Sequence, residues 1–201
     1  MSIVAERIAA VEGIPGWRGR VMQCPAELEA AWLIVRERRP RFFVEIGSAW
    51  GGSLYVYAGA CNEEATVIGI EQDRSGRFAL PLSRIKEELI LEAYDATVVL
   101  AHSRAPELLE EMARRDQPIY LLHIDGCHRD ALKDFAAWRP LLAEGALVLV
   151  HDITYRRNGS TVPKDWKAIR ERGSPYLELV GPPVERPGRE PATLGIGVLW
   201  L

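Results

Sequence analysis

The feature that most constrains the fold of this chain is an alternation of short apolar runs with stretches of helical periodicity. The apolar runs lie at 41–46 (Arg-Phe-Phe-Val-Glu-Ile), 66–70, 96–101, 119–124 and 146–150, and helical stretches separate them at about 53–62, 82–93, 104–115 and 129–142. A strand that is apolar at nearly every position has no side for water, so these runs predict a parallel sheet covered by helices on both faces. The end of the chain departs from the pattern. After a helix at about 163–172 come two extended runs, 176–180 and 194–201, joined by the Pro- and Gly-rich segment from Gly181 to Pro191. Two strands with no helix between them pair antiparallel. The expected fold is therefore α/β: a Rossmann-like, doubly wound, mostly parallel seven-stranded sheet with a C-terminal antiparallel hairpin at its edge.

Ahead of the first strand, residues 2–12 read as an amphipathic helix stopped by Gly13, Pro15 and Gly16. Pro25 opens a second helix where its missing N–H costs nothing, and Pro40 closes it. Residues 1–40 thus form an N-terminal helical extension to the domain at 41–201, and the 201 residues suffice for one compact domain rather than two. The net charge of −3 comes with no basic stripe, which argues against nucleic acid as a partner. Arg36, Arg38, Arg39 and Arg41 sit at a helix end, where cations offset the helix dipole. Cys24, Cys61 and Cys127 form no C-x-x-C pair, which speaks against a disulfide framework or structural zinc and suits a reducing cytoplasm. The amino terminus becomes charged too early for a signal peptide, and no run approaches the length of a membrane span. The expected location is cytoplasmic, with no membrane partner, and the N-terminal helices offer a surface for a homo-oligomer.

The first chemical signal is Glu45-Ile46-Gly47-Ser48-Ala49-Trp50-Gly51-Gly52-Ser53, a glycine-rich loop after the first strand. Glycine lets the chain turn tightly and lets a ligand approach the backbone. A nicotinamide fingerprint reads G-x-G-x-x-G, and this loop does not, because position 49 is Ala. Glu45, two residues before the first glycine, would repel a pyrophosphate but can hold the ammonium of a bound methionine moiety. The second signal is Glu71, which ends the second strand nineteen residues beyond Gly52. A carboxylate there can accept hydrogen bonds from both hydroxyls of a ribose, with Asp73 as the weaker substitute. Glu71 supports a nucleoside cofactor without choosing which one.

Five βα units followed by a hairpin outline a class I methyltransferase. The run from Gly19 through Gln23 and Pro25 to Arg39-Pro40, Val44-Glu45-Ile46-Gly47 and Gly51-Gly52-Ser53 resembles the cephalosporin hydroxylase-type family, whose members are S-adenosylmethionine methyltransferases related to macrolide-sugar O-methyltransferases. The likeness resumes at Ile124-Asp125-Gly126-Cys127-His128 and Gly145 to Asp152, and ends at Gly195-Ile196-Gly197-Val198. It implies S-adenosylmethionine as cofactor, held by Glu45, Gly47, Ser48, Trp50, Gly51, Ser53, Glu71, Ser103 and Asp125. Where relatives often have Gly-Asp-Ser after the third strand, this chain has Ala101-His102-Ser103, and Ser103 is the residue expected against adenine.

Asp125 ends the fourth apolar run and Asp152 the fifth, so both project at the carboxyl edge where ligands bind an open parallel sheet. The family arrangement makes these strands neighbours, with axes about 4.8 Å apart. Two carboxylates at that spacing can share a divalent cation, and left alone they repel, so either a cation or a raised pKa is expected. Metal-dependent relatives carry an acidic pair at the end of the fifth strand. Here the first member is His151, so the expected ligands are Asp125, His151 and Asp152, and imidazole favours manganese or another transition metal over magnesium.

His128 follows Asp125 by three residues, at the expected start of the next helix. In the sugar O-methyltransferases the histidine at this place is the general base, and an imidazole is suited to taking the proton of a hydroxyl acceptor held near Asp125. His102 is assigned no role, and His123, inside an apolar run, reads as a core histidine. Trp138, Trp166, Tyr55 and Tyr57 read as core, whereas Trp50 lies in the cofactor loop. The polar segment Tyr155-Arg156-Arg157-Asn158-Gly159-Ser160 stands where a loop can close over substrate. The resulting expectation is O-methylation of a small hydroxylated molecule. The alternatives are a nicotinamide-dependent oxidoreductase, which the loop spacing disfavours, and a non-catalytic cofactor-binding scaffold.

Overall fold

The structure, a computed structural model, describes residues 2–156, 159–173, 175–186 and 189–201. Two helices come first, α1 (Ile3–Glu12) and α2 (Pro25–Arg38). The alternating part follows as β1 (Phe42–Ile46), α3 (Gly52–Ala58), β2 (Thr66–Glu71), α4 (Ala79–Leu91), β3 (Asp95–Leu100), α5 (Pro106–Ala113), β4 (Ile119–Ile124), α6 (Ala131–Trp138), β5 (Leu142–His151) and α7 (Val162–Arg170). The chain closes with β6 (Tyr176–Leu179), β7 (Val184–Arg186), β8 (Arg189–Ala192) and β9 (Ile196–Trp200).

Among the described residues, seven strands form one sheet in the order β3-β2-β1-β4-β5-β9-β6. Every pair from β3 to β5 is parallel, and β9 runs antiparallel between β5 and β6. The expected C-terminal pair is therefore β6 with β9. The Pro- and Gly-rich segment between them does more than connect, because it carries the separate small hairpin β7–β8.

The inner strands β1, β2, β4, β5 and β9 are buried along most of their length on both faces, whereas the edge strands β3 and β6 are partly to largely exposed. Phe42, Val44 and Ile46 of β1 face a core shared with α5, α6 and α7, including Met112, Phe135, Trp138 and Trp166. The alternate residue Phe43 faces the other core, built from α1 to α4 with Val11, Trp32, Tyr57 and Ile85. Tyr55, Tyr57, Trp138 and Trp166 are all buried. The second face also holds a polar line. Glu45 pairs in register with His123, and one step beyond the last β4–β5 pair, Ile124 with Val150, Asp125 meets His151. Register alone thus brings four polar residues from three adjacent strands side by side.

The N-terminal extension packs on this second face. Arg7 of α1 donates to the Tyr55 carbonyl at 2.9 Å and to Glu92 at 2.8 Å, tying α1 to α3 and to the end of α4. Trp32 of α2 donates to the Val56 carbonyl at 3.0 Å. Glu27 of α2, nearly fully buried, accepts the backbone N–H groups of Gly181 at 2.7 Å and Gly195 at 3.1 Å. One carboxylate therefore fixes both ends of the segment that carries β7–β8.

Candidate active site

At the carboxyl edge of β1, β2, β4 and β5 the loops enclose a cleft of about 700 Å³, within the rough 300–1,000 Å³ range of small-molecule sites. Gly47, Trp50, Glu71, Ser103, Asp125, His128, His151 and Asp152 all contribute to its wall. Most residues singled out from sequence thus meet around one space. Glu45, Ser48, Gly51 and Ser53 do not line it. They lie behind the wall, Glu45, Ser48 and Ser53 buried.

Gly47 has to be glycine. Its φ of +85° lies in the left-handed region, and a Cβ there would stand 2.3 Å from the Asp125 carbonyl oxygen. The chain turns at Gly47 because its N–H and that of Ser48 both reach the Ile70 carbonyl of β2, at 2.8 and 3.2 Å. Ala49 follows with φ +46° and donates its N–H to Glu71 Oε2 at 2.8 Å, which ties the loop to the end of β2. Burial pushes the Glu71 carboxyl above the usual glutamate range, and the Ala49 N–H opposes that only in part.

Glu45 Oε1 lies 2.8 Å from His123 Nδ1, both side chains fully enclosed. His123 is the expected core histidine, with the unforeseen task of partnering a buried carboxylate. Glu45 Oε2 has no hydrogen-bond partner among the described residues. Across the cleft, Ser103 donates its hydroxyl to Asp134 Oδ1 at 2.7 Å, and Arg104 reaches the same oxygen at 2.7 Å. Sequence reasoning missed Asp134, Arg104 and Gln23. Of these, Gln23 lies within the Gly19 to Pro25 run that carries the family likeness.

Asp125 and Asp152 form no repelling pair. Each carboxylate takes a histidine: Asp125 Oδ1 is 2.9 Å from His151 Nδ1, and Asp152 Oδ2 is 2.8 Å from His128 Nε2. Burial pushes the Asp125 carboxyl up, but the charge and hydrogen bond of His151 outweigh it and hold the carboxyl below the usual range. The raised pKa expected for an unpaired carboxylate is therefore absent at Asp125, because the imidazole beside it supplies the compensating charge. Burial works against the His151 proton, yet the charges of Asp125 and Asp152 raise this imidazole to about 9. The hydrogen bond to Asp152 raises His128 above its ordinary value, against partial burial. His128 stands in the turn before α6, not at its first residue, with its side chain 42% exposed and its ring 5.5 Å from that of Tyr155. Asp152 adopts φ +65°, a strained conformation that its short polar side chain tolerates.

One oxygen or nitrogen each from Asp125, His151 and Asp152 lies within 4.8 Å of the others. His151 Nε2 and Asp152 Oδ1 are buried and have no hydrogen-bond partner among the described residues. Two carboxylates and an imidazole that gives up its proton on binding fit a divalent cation, manganese or another transition metal better than magnesium. Of the polar segment after Asp152, Tyr155 and Arg156 are described, and Arg157 and Asn158 lie outside the described residues.

Residues 44–153, more than half of the chain, match a family described as a methyltransferase domain. The chain belongs to this methyltransferase family, and the oxidoreductase alternative gives way to it. No curated protein matches the sequence. Solved structures superpose along nearly the whole chain. The O-methyltransferase TomG from Streptomyces achromogenes, involved in tomaymycin synthesis and in complex with SAM, is 20% identical with a TM-score of 0.63, covering 98% of this chain and 88% of that one. An O-methyltransferase from Bacillus cereus in complex with SAH is 13% identical with a TM-score of 0.63, at 98% and 90% coverage. A putative caffeoyl-CoA O-methyltransferase from Staphylococcus aureus is 18% identical with a TM-score of 0.60, at 99% and 93% coverage. At these identities the likeness is one of fold. Among the described residues, no helix is long and apolar enough to cross a membrane.

Proposed function

We propose that the chain is an S-adenosylmethionine-dependent O-methyltransferase that acts on a hydroxyl of a small molecule, with a divalent cation held at Asp125, His151 and Asp152. The observation that carries this reading is that Glu71 and the Asp152–His128 pair line one cleft. A ribose acceptor and a candidate base thereby face the same ligand space.

Glu71 accepts the two ribose hydroxyls, and Ser103 stands at the adenine wall. Gly47 and Trp50 of the glycine loop meet the amino-acid end, with Glu45, Ser48, Gly51 and Ser53 behind them supporting that wall. The bound cofactor supplies an activated methyl group, so the protein's share of the work is to orient the acceptor and remove its proton. Asp152 determines how His128 does so. An ionised carboxylate only accepts hydrogen bonds, so the imidazole proton sits on Nε2 and Nδ1 is left to receive the acceptor's proton. Asp152 then stabilises the imidazolium that results. A cation at the Asp125, His151 and Asp152 donors would lower the pKa of a hydroxyl bound to it.

The raised pKa of His151 favours a second reading of that trio. In it the His151 imidazolium itself neutralises Asp125 and Asp152, and His128 carries the proton transfer without a metal.

The test is methyl transfer from labelled S-adenosylmethionine to panels of hydroxylated sugars, polyols and phenols. A methylated oxygen on one class supports the reading. Cofactor bound without transfer to any class makes the chain a binding scaffold.

A further inference from the structure

Ahead of α2, residues 17–23 run across the glycine loop as a strap. Trp17 Nε1 donates to the Trp50 carbonyl at 2.8 Å. Gly19 passes between the two tryptophans so closely that a Cβ would stand 2.4 Å from Trp50 Cβ and 2.5 Å from the Trp17 ring. Val21 packs on Gly52, and Met22 reaches the cleft wall. The strap ends at Gln23, whose Nε2 donates to Asp125 Oδ2 at 2.6 Å across 102 residues of sequence. Gln23 is 4% exposed, and its Oε1 has no partner among the described residues.

Each part of that arrangement constrains the next. With Gln23 on Oδ2 and His151 on Oδ1, both oxygens of Asp125 are held and its carboxylate cannot turn. A neutral amide grips the carboxylate without adding charge. Because Nε2 and Oε1 share one amide carbon, the open acceptor stands within a few ångströms of Asp125 Oδ2 by covalent geometry. A buried carbonyl oxygen with no donor costs free energy until a donor arrives. Beside an ionised carboxylate, the ligand group that meets both acceptors is a cationic N–H donor.

We propose that Gln23, delivered by the Trp17–Gln23 strap, is a binding residue for the amino-acid end of the cofactor, with Nε2 holding Asp125 and Oε1 receiving an N–H of the ligand's ammonium. This rests on the cofactor reading above and adds a contact from the N-terminal extension to the site.

The test compares two ligands by calorimetry on the parent and on Gln23→Leu and Gln23→Met. S-adenosylhomocysteine carries the ammonium, whereas 5′-methylthioadenosine keeps the nucleoside and lacks the amino acid. Both variants should bind S-adenosylhomocysteine at least about tenfold more weakly, the loss of one hydrogen bond to a charged group. Binding of 5′-methylthioadenosine should stay within about twofold of the parent, which also reports an intact fold. Equal weakening of both ligands, or no change in either, overturns the inference and leaves the cofactor reading standing. A parent that binds neither ligand overturns the cofactor reading, and the inference with it.

Discussion

Asp152 Oδ2 lies 2.8 Å from His128 Nε2, and the bond joins a strand end to a turn 24 residues earlier in the chain. The two are held from both sides: Asp152 follows β5 directly, and the His128 carbonyl accepts the Thr161 N–H at 2.8 Å. The pair makes His128 a more basic and better oriented imidazole than a free surface histidine.

His128→Ala should therefore lower turnover by about 10²–10⁴, the contribution of a positioned base, with S-adenosylhomocysteine affinity almost unchanged. Asp152→Asn should lower turnover as well, since an amide can donate to Nε2 and invert the tautomer. Steady-state kinetics beside calorimetry reads both. Normal turnover in His128→Ala removes this residue from the mechanism.

Gly47→Ala should cost both fold and site. The φ of +85° and the 2.3 Å approach to the Asp125 carbonyl act together, and the backbone cannot give way without moving Asp125. A destabilisation of about 1–3 kcal/mol is expected from the strained conformation alone. Denaturant unfolding measures it, and Gly13→Ala, at an ordinary φ of −82° with its nearest neighbour, the Ala9 carbonyl oxygen, at 3.3 Å, serves as the milder control.

Cofactor affinity should depend on pH through Glu71. The ribose hydroxyls donate to the ionised carboxylate, so binding is full above the Glu71 pKa and weakens as pH falls through it. Burial raises that pKa, so the loss begins at a higher pH than for an ordinary glutamate. Its limit is about tenfold per pH unit. Glu71→Gln should bind more weakly at neutral pH and lose this dependence. A parent profile that matches the Gln variant's would remove Glu71 from the ribose site.

The sheet was legible because apolar runs without a polar alternate have few ways to fold, and Glu71 and Asp125 followed from their places at strand ends. Local pattern says nothing of partners far apart in sequence. Gln23 and Asp125, Ser103 and Asp134, and Glu27 with Gly181 and Gly195 are far apart in sequence and meet only in the folded chain. The pairing of Glu45 with His123 needs the β1–β4 register, which one strand alone does not reveal. The β7–β8 hairpin hid in a Pro- and Gly-rich segment whose composition reads as a loop.

The cation reading predicts that chelation lowers turnover and that a divalent ion restores it, manganese more effectively than magnesium given the imidazole donor. Asp152→Asn should weaken that rescue. Full turnover in the presence of chelator assigns the trio to the imidazolium arrangement instead.

The central claim is that the cleft takes S-adenosylmethionine, and calorimetry of the parent with S-adenosylhomocysteine and with NAD tests it most directly. Saturable binding of S-adenosylhomocysteine and none of NAD is the expected result. Glu71→Ala should bind about ten- to a hundredfold more weakly, as two hydrogen bonds to a charged acceptor are lost. Tight binding of NAD with no response to S-adenosylhomocysteine would contradict it.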